Sequence, residues 1–483
     1  MTLRDLAVGR AQRGPLGRRR EFGLLLVVAV TLVAGSASLR AGSASLAANG
    51  GVGLPGGSAT ASPGSTWLAD PVALAWFIGG LFVAHLILVL SRRRTDQVLL
   101  PTVGLLGGIS LLLMERLPQD LAGGLGLGRT QLVWLLLSIG LVAGVGALVR
   151  SDAWLRLYKY SWAAVGIGLL LLTFVFGHDV NGQRLTLSIG PLSGQPSELI
   201  KIILVVFLAA YLSENRPLLI EESTRVGPLR LPPLPYLAPM IAMWAIALAV
   251  VIVQRDLGAA FLFFAVFLLL LYVATARASF VVLGFLAFVA GGVVLYQLVP
   301  HVRVRVDIWL DPFATASGTG YQVVQALHAF ARGGLLGTGF GAGLPVVGGV
   351  LPIPALHTDF PFAALGEELG LVGILGILGL YLVVIERGFR IAASAADDFR
   401  ALLATGLSLI IGVQAFIIAA GNLKLIPLTG ITLPFISYGG SSLVTSGLVI
   451  GLLIALSDRG PELPAADHRR GGPRFREASE APA

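Results

Sequence analysis

The chain has 483 residues, of which 55% are hydrophobic and only 12% are charged. Soluble globular proteins carry roughly 25% charged residues, so the composition excludes that class. The formal net charge of +8 suits contact with anionic membrane lipids, and nothing in the sequence indicates a nucleic-acid partner. The absence of cysteine excludes disulfides, thiolate metal sites and a cysteine nucleophile.

Long apolar segments recur along the chain, and each can cross a hydrocarbon core roughly 30 Å thick as a helix. They predict an all-α, polytopic helical membrane protein of about 10 to 12 transmembrane helices with a large structured extracellular loop. We place the spans at residues 22–41, 70–91, 98–115, 131–149, 161–177, 196–213, 236–253, 258–275, 279–299, 363–386, 402–421 and 440–457.

Basic residues set the predicted orientation, because loops on the cytoplasmic side of a membrane collect lysine and arginine. Three consecutive arginines, at positions 18–20, lie directly before the first span, and the tail after the last span contains several more. Both termini are therefore expected in the cytoplasm, as an even number of spans requires.

The longest connection between spans, residues 300–362, is predicted to be external and functional. Apolar residues at Val323, Val324, Leu327 and Phe330 predict a short amphipathic helix within it. The glycine- and proline-rich stretch that follows cannot cross lipid as a helix, so it is expected to be buried in protein or to line a wet cavity.

Several motifs follow one another across residues 180–457. They are Asn181-Gly182-Gln183-Arg184, Gln195-Pro196-Ser197-Glu198-Leu199-Ile200-Lys201, Gln254-Arg255-Asp256-Leu257-Gly258, Gly320-Tyr321-Gln322, His357-Thr358-Asp359-Phe360 with Gly366-Glu367-Glu368-Leu369, and Leu433-Pro434-Phe435-Ile436-Ser437-Tyr438-Gly439-Gly440-Ser441-Ser442. With these motifs the chain resembles the shape, elongation, division and sporulation (SEDS) glycosyltransferases, the FtsW/RodA/SpoVE family.

The resemblance implies a peptidoglycan glycosyltransferase that polymerises lipid II into glycan strands at the outer face of the bacterial plasma membrane. It implies a role in cell division or in cell elongation and shape control, with a class B penicillin-binding transpeptidase as partner. Two other functions stay open: a flippase for lipid II or another polyprenyl-linked lipid, and a non-catalytic scaffold for the transpeptidase.

The resemblance also divides the chain into four parts. Residues 1–21 form a basic cytoplasmic N-terminus, and residues 22–95 form two additional transmembrane helices with a flexible external loop. Residues 96–460 form the SEDS-type transmembrane core, which includes the large external loop 300–362. Residues 461–483 form a polar, disordered cytoplasmic tail.

Transfer of a sugar from a polyprenyl diphosphate to a hydroxyl requires a base for the acceptor proton and cations for the leaving diphosphate. Cations expected on the outer side are Arg184, Arg303, Arg305, Arg332 and Lys424. Any single one could be a contact to lipid headgroups, whereas the set favours an anionic ligand. Glu198 and Lys201 share a helix face and are interpreted either as a buried structural pair or as part of the substrate cavity.

Asp311 is the candidate catalytic base. The family's proposed base is an aspartate of an Asp-Pro pair shortly before Gly-Tyr-Gln, and relatives often have two such turns, of which the second carries it. Within the loop 300–362 the only Asp-Pro pair is Asp311-Pro312, and Ala314, Thr315 and Ala316 supply no carboxylate where the second is expected. The alternatives are that Asp311 takes the catalytic position or that the base has been lost or relocated.

Further candidate substrate-binding residues have plain structural alternatives. Asp359 could cap a helix N-terminus, and His357 could be a hydrogen-bonding structural group. Glu367 and its neighbour Glu368 point in different directions, so at most one is expected to face the cavity. Ser437 and Ser441 lie where a helix begins, and there they could bind a phosphate or simply allow close packing.

No metal site is predicted, because the histidines are few and scattered. No cofactor is assigned on this basis. The chemistry alone leaves room for a divalent cation such as Mg²⁺, which often binds through substrate phosphates and one carboxylate.

Overall fold

The computed structural model describes residues 18–48, 70–122, 125–180, 183–189, 192–221, 224–226, 229–231, 245, 256–343 and 351–458. Outside these residues lie nearly all of the predicted span 236–253, most of the predicted loop 42–69 and the whole predicted tail 461–483.

Fourteen α-helices are present in the described residues, and most run the length of an apolar segment. They are α1 (Arg19–Ala48), α2 (Pro71–Leu90), α3 (Leu99–Arg116), α4 (Leu127–Leu148), α5 (Ala153–Leu157), α6 (Lys159–Phe176), α7 (Pro196–Glu221), α8 (Leu257–Thr275), α9 (Ala278–Leu298), α10 (Pro300–Leu310), α11 (Tyr321–Gly333), α12 (Pro361–Ala393), α13 (Asp398–Asn422) and α14 (Gly440–Leu456). Ten of these helices are long and apolar enough to span a membrane, and α14 is a shorter apolar helix. The predicted class, a polytopic helical membrane protein, is confirmed.

Two small antiparallel sheets join the helices, and we did not predict them. The first sheet comprises β1 (His178–Val180), β2 (Gln183–Ile189) and β3 (Leu192–Gly194), and the second comprises β4 (Thr224–Val226) and β5 (Leu229–Leu231). Val180 pairs with Gln183, so the dipeptide Asn181-Gly182 connects β1 to β2. Asn-Gly is the strongest short-range signal for such a hairpin.

Three helices have features that we did not predict. Helix α1 continues to Ala48, so residues 42–48, expected in a flexible loop, are helical. Helix α10 occupies the start of the predicted external loop 300–362, and it begins with a proline in its first turn, a position that proline favours. Helix α12 is kinked at Gly370, whose φ of 64° lies in the left-handed region that favours glycine.

Ion pairs and hydrogen bonds define the two ends of the bundle. At one end, which we call the far end, Arg93 bonds Asp458, Arg387 bonds Asp96, and Arg400 bonds Asp152. At the opposite end lie α10, α11 and the segment 423–439 that connects α13 to α14. We call this the site end, because the candidate residues described below converge there.

Candidate functional site

The pair Glu198–Lys201 lies in the first two turns of α7. The ammonium of Lys201 lies 2.6 Å from Glu198 Oε2 and donates a second hydrogen bond of 2.8 Å to Gln414 Oε1 on α13. Gln414 in turn donates to the carbonyl of Thr432 at 2.8 Å. The pair is therefore buried and connects α7 with α13 and the segment 423–439.

A small cavity lies beside this pair. Its volume is about 30 Å³, which is room for water but not for a sugar. Polar lining residues are Gln195, Ser197, Glu198, Lys201, Asp256, Gln414 and Thr432. Any ligand of sugar size must therefore bind outside the cavity or displace one of its walls.

Asp256 completes the carboxylate set that lines this cavity. Asp256 Oδ1 caps α8 by accepting from the amide of Ala259 at 2.9 Å, and Oδ2 accepts from Gln195 at 3.3 Å. Burial raises the pKa of Asp256, and the nearby Glu198 raises it further. Its position directly before an apolar run was the signal for a helix cap.

Arg305 brings α10 to this cluster. Its Nη1 donates to the carbonyls of Leu428 at 3.1 Å and Thr429 at 2.6 Å. Burial lowers the pKa of the Arg305 guanidinium, while the charges of Asp256 and Asp359 act in the opposite direction. The structure thus brings together four predicted residues, Glu198, Lys201, Arg305 and Asp359, and adds Asp256.

Asp359 does not cap α12, because the capping position is Phe360 and no side chain bonds the helix N-terminus there. Burial raises the pKa of Asp359 to about 6, although a hydrogen bond from Thr358 and the charge of Arg305 lower it. The carboxyl group is therefore half-ionised near pH 6.

This pKa predicts a pH-dependent stability. The pKa of Asp359 is raised in the folded state, so its contribution is fully present below about pH 4 and is lost as the pH rises through about 6. We expect the Asp359→Asn variant to gain about 2 kcal/mol relative to the wild type between pH 4 and pH 7. Thermal unfolding of both proteins in detergent across this range measures the effect, and a pH-independent difference would contradict it.

Asp311 lies at the C-terminal end of α10, where it is exposed. Its Oδ1 accepts from the amides of Phe313 at 3.1 Å and Ala314 at 3.2 Å, which is the turn-forming role named above as the alternative. The ammonium of Lys424 donates to the carbonyl of Leu310 at 3.3 Å, one residue before Asp311. An exposed carboxylate and a cation are thus neighbours at the site end.

Two predicted arginines lie outside this convergence. Arg303 donates to the carbonyls of Tyr296 and Gln297 at 3.3 and 2.9 Å, so it caps the end of α9. Arg184 lies on β2, and its side chain falls outside the described part of the structure.

The two adjacent glutamates of α12 bind different arginines, as their sequence positions predicted. Glu367 accepts from Arg332 Nε at 2.9 Å and from Arg332 Nη2 at 3.3 Å. Glu368 forms an ion pair with Arg116 at the end of α3. Neither glutamate lines the small cavity, and the contact of Glu367 with Arg332 lets it act on a ligand through that guanidinium.

The backbone of His357 and the side chain of Ser437 make structural contacts, whereas the buried Nδ1 of His357 has no hydrogen-bond partner among the described residues. Burial lowers the pKa of His357, and its carbonyl accepts from the amide of Tyr438 at 2.8 Å. Ser437 Oγ donates to the carbonyl of Thr358 at 2.6 Å and accepts from the amide of Leu433 at 2.8 Å. Ser441 lies in the first turn of α14. These contacts favour close packing of the segment 423–439 over phosphate binding.

No group of three or more histidine, aspartate or glutamate side chains that could hold a metal ion is found among the residues that the structure describes.

Comparison with known proteins identifies the family. The sequence model for the FtsW/RodA/SpoVE proteins, described as "Cell cycle protein", matches residues 95–460. The chain belongs to the FtsW/RodA/SpoVE family. Helices α1 and α2 lie outside the matched residues.

Curated members of the FtsW/RodA/SpoVE family resemble the chain over most of its length. The peptidoglycan glycosyltransferase RodA of Mycobacterium tuberculosis (strain ATCC 25618 / H37Rv) is 38% identical over 452 residues, which cover 92% of this chain and 91% of that protein. The probable peptidoglycan glycosyltransferase FtsW of Nitrosococcus halophilus (strain Nc4) is 37% identical over 330 residues, which cover 66% of this chain and 80% of that protein.

Solved structures of this family share the fold. A chain in the structure entitled "Structural coordination of polymerization and crosslinking by a peptidoglycan synthase complex" gives a TM-score of 0.61 at 25% identity, with 75% of this chain and 98% of that chain covered. The rod shape determining protein RodA of Thermus thermophilus gives 0.52 at 24% identity, with 75% and 97% covered. The second likeness shows the fold alone.

Proposed function

We propose that this chain is a peptidoglycan glycosyltransferase that polymerises lipid II into glycan strands, in cell division or in cell elongation and shape control. The observation that carries the proposal is the convergence of Glu198, Lys201, Asp256, Arg305 and Asp359 at the end of the bundle where Asp311 and Lys424 lie together. Charged groups at membrane depth are costly and are retained mainly for function. The names of the curated relatives support the same activity.

Asp311 is the proposed base and Lys424 the proposed diphosphate contact. As the acceptor hydroxyl oxygen bonds the anomeric carbon of the donor sugar, its proton passes to the Asp311 carboxylate. The bond from that carbon to the polyprenyl diphosphate breaks, and the diphosphate leaves with the electron pair. The charge that develops on it requires a nearby cation, and the Lys424 ammonium donates to the carbonyl of Leu310, the residue before Asp311.

The remaining predicted binding residues divide by their contacts. A charge cluster comprises the buried Glu198 and Lys201 and the half-buried Arg305 and Asp359, and we propose that it shapes the floor of the substrate cavity. Glu367 would act by orienting Arg332 toward the diphosphate. The contacts described for Arg303, His357 and Ser437 are structural. Substrate binding by these three residues, and by Arg184 and Ser441, is therefore proposed from the sequence alone.

The chain is a multi-pass membrane protein, and we propose that it resides in the bacterial plasma membrane with the site end at the outer face and both termini in the cytoplasm. Described residues Arg93, Arg216, Arg390 and Arg400 lie at the far end, as the preference of cytoplasmic loops for arginine requires. A class B penicillin-binding transpeptidase is the proposed partner, in keeping with the synthase complex of the structural neighbour.

Polymerisation of purified lipid II tests the function. We expect the detergent-solubilised protein to produce glycan chains, with a higher yield when the cognate transpeptidase is added. A folded protein that makes no glycan with the partner present would contradict the proposal. Lipid II crossing of vesicle membranes without polymerisation would then favour the flippase, and neither activity would favour the scaffold.

A further inference from the structure

Helix α1 reaches the site end and packs on the glycine-rich segment 337–343 that follows α11. Ser38 Oγ donates to the carbonyl of Phe340 at 3.3 Å. A Cβ on Gly341 would lie 2.7 Å from the Cα of Leu39, and a Cβ on Gly42 would lie 2.8 Å from the carbonyl carbon of Gly341. The two backbones are therefore in direct contact, and the contact requires glycine at both positions.

The same segment is held on its other side by the two glutamates of α12. The amide of Gly341 donates to Glu368 Oε2 at 3.2 Å, and the amide of Thr338 donates to the carbonyl of Glu367 at 3.0 Å. Arg116 donates to the carbonyl of Gly343 at 2.6 Å. Segment 337–343 is thus enclosed between α1 and the glutamate pair.

This enclosure bears on Arg332, because Glu367 holds that guanidinium in a two-point contact. The side chain of Glu367 is buried, whereas 38% of the Arg332 side chain is exposed. A guanidinium with a fixed orientation and a solvent-exposed outer face is well placed to bind phosphate oxygens. A shift of segment 337–343 would move Glu367 and with it the exposed face of Arg332.

The opposite end of α1 is anchored as well. Arg18 donates to Thr95 Oγ1 at 2.7 Å and to the carbonyl of Asp96 at 3.0 Å, and it forms an ion pair with Glu21. Glu21 Oε1 lies 2.5 Å from His85 Nδ1 on α2. These groups are buried, so α1 is fixed along its axis and cannot slide away from Gly341.

We propose that α1 is a positioning element for the reaction: through Leu39 and Gly42 it holds segment 337–343 against α12 and so sets the diphosphate-binding orientation of Arg332. The inference rests on the proposed function, since it assigns Arg332 to the diphosphate of lipid II. Leu39 and Gly42 are positioning residues because they contact no substrate themselves.

A matched pair of glycine substitutions on one helix tests this role. Gly42→Leu pushes α1 from Gly341, whereas Gly23→Leu adds the same side chain to α1 at a position with no heavy atom within 4 Å. We expect Gly42→Leu to weaken binding of lipid II about tenfold, a change of about 1.4 kcal/mol. Gly23→Leu should bind within about twofold of the wild type.

Contact and binding are measured separately. The chain contains no cysteine, so the double variant Ser38→Cys/Phe340→Cys reports the contact by disulfide formation, which requires no activity. Gly42→Leu should reduce crosslinking, and Gly23→Leu should not. Lost crosslinking with unchanged lipid II binding would overturn the positioning role, and unchanged crosslinking would overturn the contact.

A double-mutant cycle separates positioning from general destabilisation. Arg332→Gln should weaken lipid II binding by a similar factor, and adding Gly42→Leu to that variant should change binding by less than about twofold. If the double variant weakens lipid II binding by the product of the two single-variant factors, α1 does not act through Arg332. If the wild type binds lipid II but does not polymerise it, the proposed activity is wrong, and the positioning role of α1 can still be tested by binding. If the wild type does not bind lipid II, both the proposed activity and the positioning role are overturned.

Discussion

We expect the Lys201→Met variant to make no glycan and to lose about 3 to 5 kcal/mol of unfolding free energy. The ammonium of Lys201 is the hydrogen-bonding partner of both Glu198 and Gln414. Removing it leaves the Glu198 carboxylate buried without its counterion, which costs far more than the pair contributes. Thermal unfolding in detergent and polymerisation of lipid II measure the two effects.

The double variant Glu198→Gln/Lys201→Met separates stability from function. It removes both charges and retains similar volumes, so most of the lost stability should return, because replacing a whole buried pair is often neutral. Polymerisation should remain absent if the charges form part of the substrate cavity. A stable double variant with wild-type polymerisation would show that the pair is only structural, the alternative that the sequence left open.

The second large effect is expected for Asp311. We expect Asp311→Asn to abolish polymerisation and to leave the unfolding temperature unchanged. An asparagine oxygen can still accept from the amides of Phe313 and Ala314 and keep the turn, but it cannot take the acceptor proton. Loss of the base should reduce the rate by about 100-fold or more.

Asp307→Asn is the matched control for Asp311→Asn, because it changes an exposed carboxylate on the same helix that bonds only Tyr296 in the described residues. That variant should polymerise normally. If Asp311→Asn polymerises normally too, Asp311 is a turn former and the base lies elsewhere, with the cluster carboxylates Asp359 and Asp256 as the next candidates.

Local sequence patterns predicted the parts of the fold and site that depend on near neighbours. Apolar length predicted the spans, and a spacing of three residues predicted the Glu198–Lys201 pair, because both follow from helix geometry. The amphipathic pattern likewise predicted α11. An Asn-Gly dipeptide carried the signal for the β1–β2 hairpin, but we did not use it.

The long-range contacts could not be predicted in this way. Arg305 bonds carbonyls 123 and 124 residues later, and Ser38 bonds a carbonyl 302 residues away. Backbone acceptors leave no pattern in a sequence, since every residue carries one. The position of Asp359 before α12 suggested a cap, yet tertiary packing placed its carboxyl near Arg305 instead.

Helix α10 is joined to the segment 423–439 mostly through main-chain acceptors. Arg305 bonds the carbonyls of Leu428 and Thr429, and Trp309 bonds the carbonyl of Lys424 at 3.2 Å. Because any amino acid supplies the same oxygen, residues 428 and 429 are free to diverge during evolution without releasing α10. The contact that holds α10 at the site end depends on the side chains of Arg305 and Trp309. Substitutions at residues 428 and 429 should therefore preserve this contact, whereas substitutions of Arg305 or Trp309 should break it.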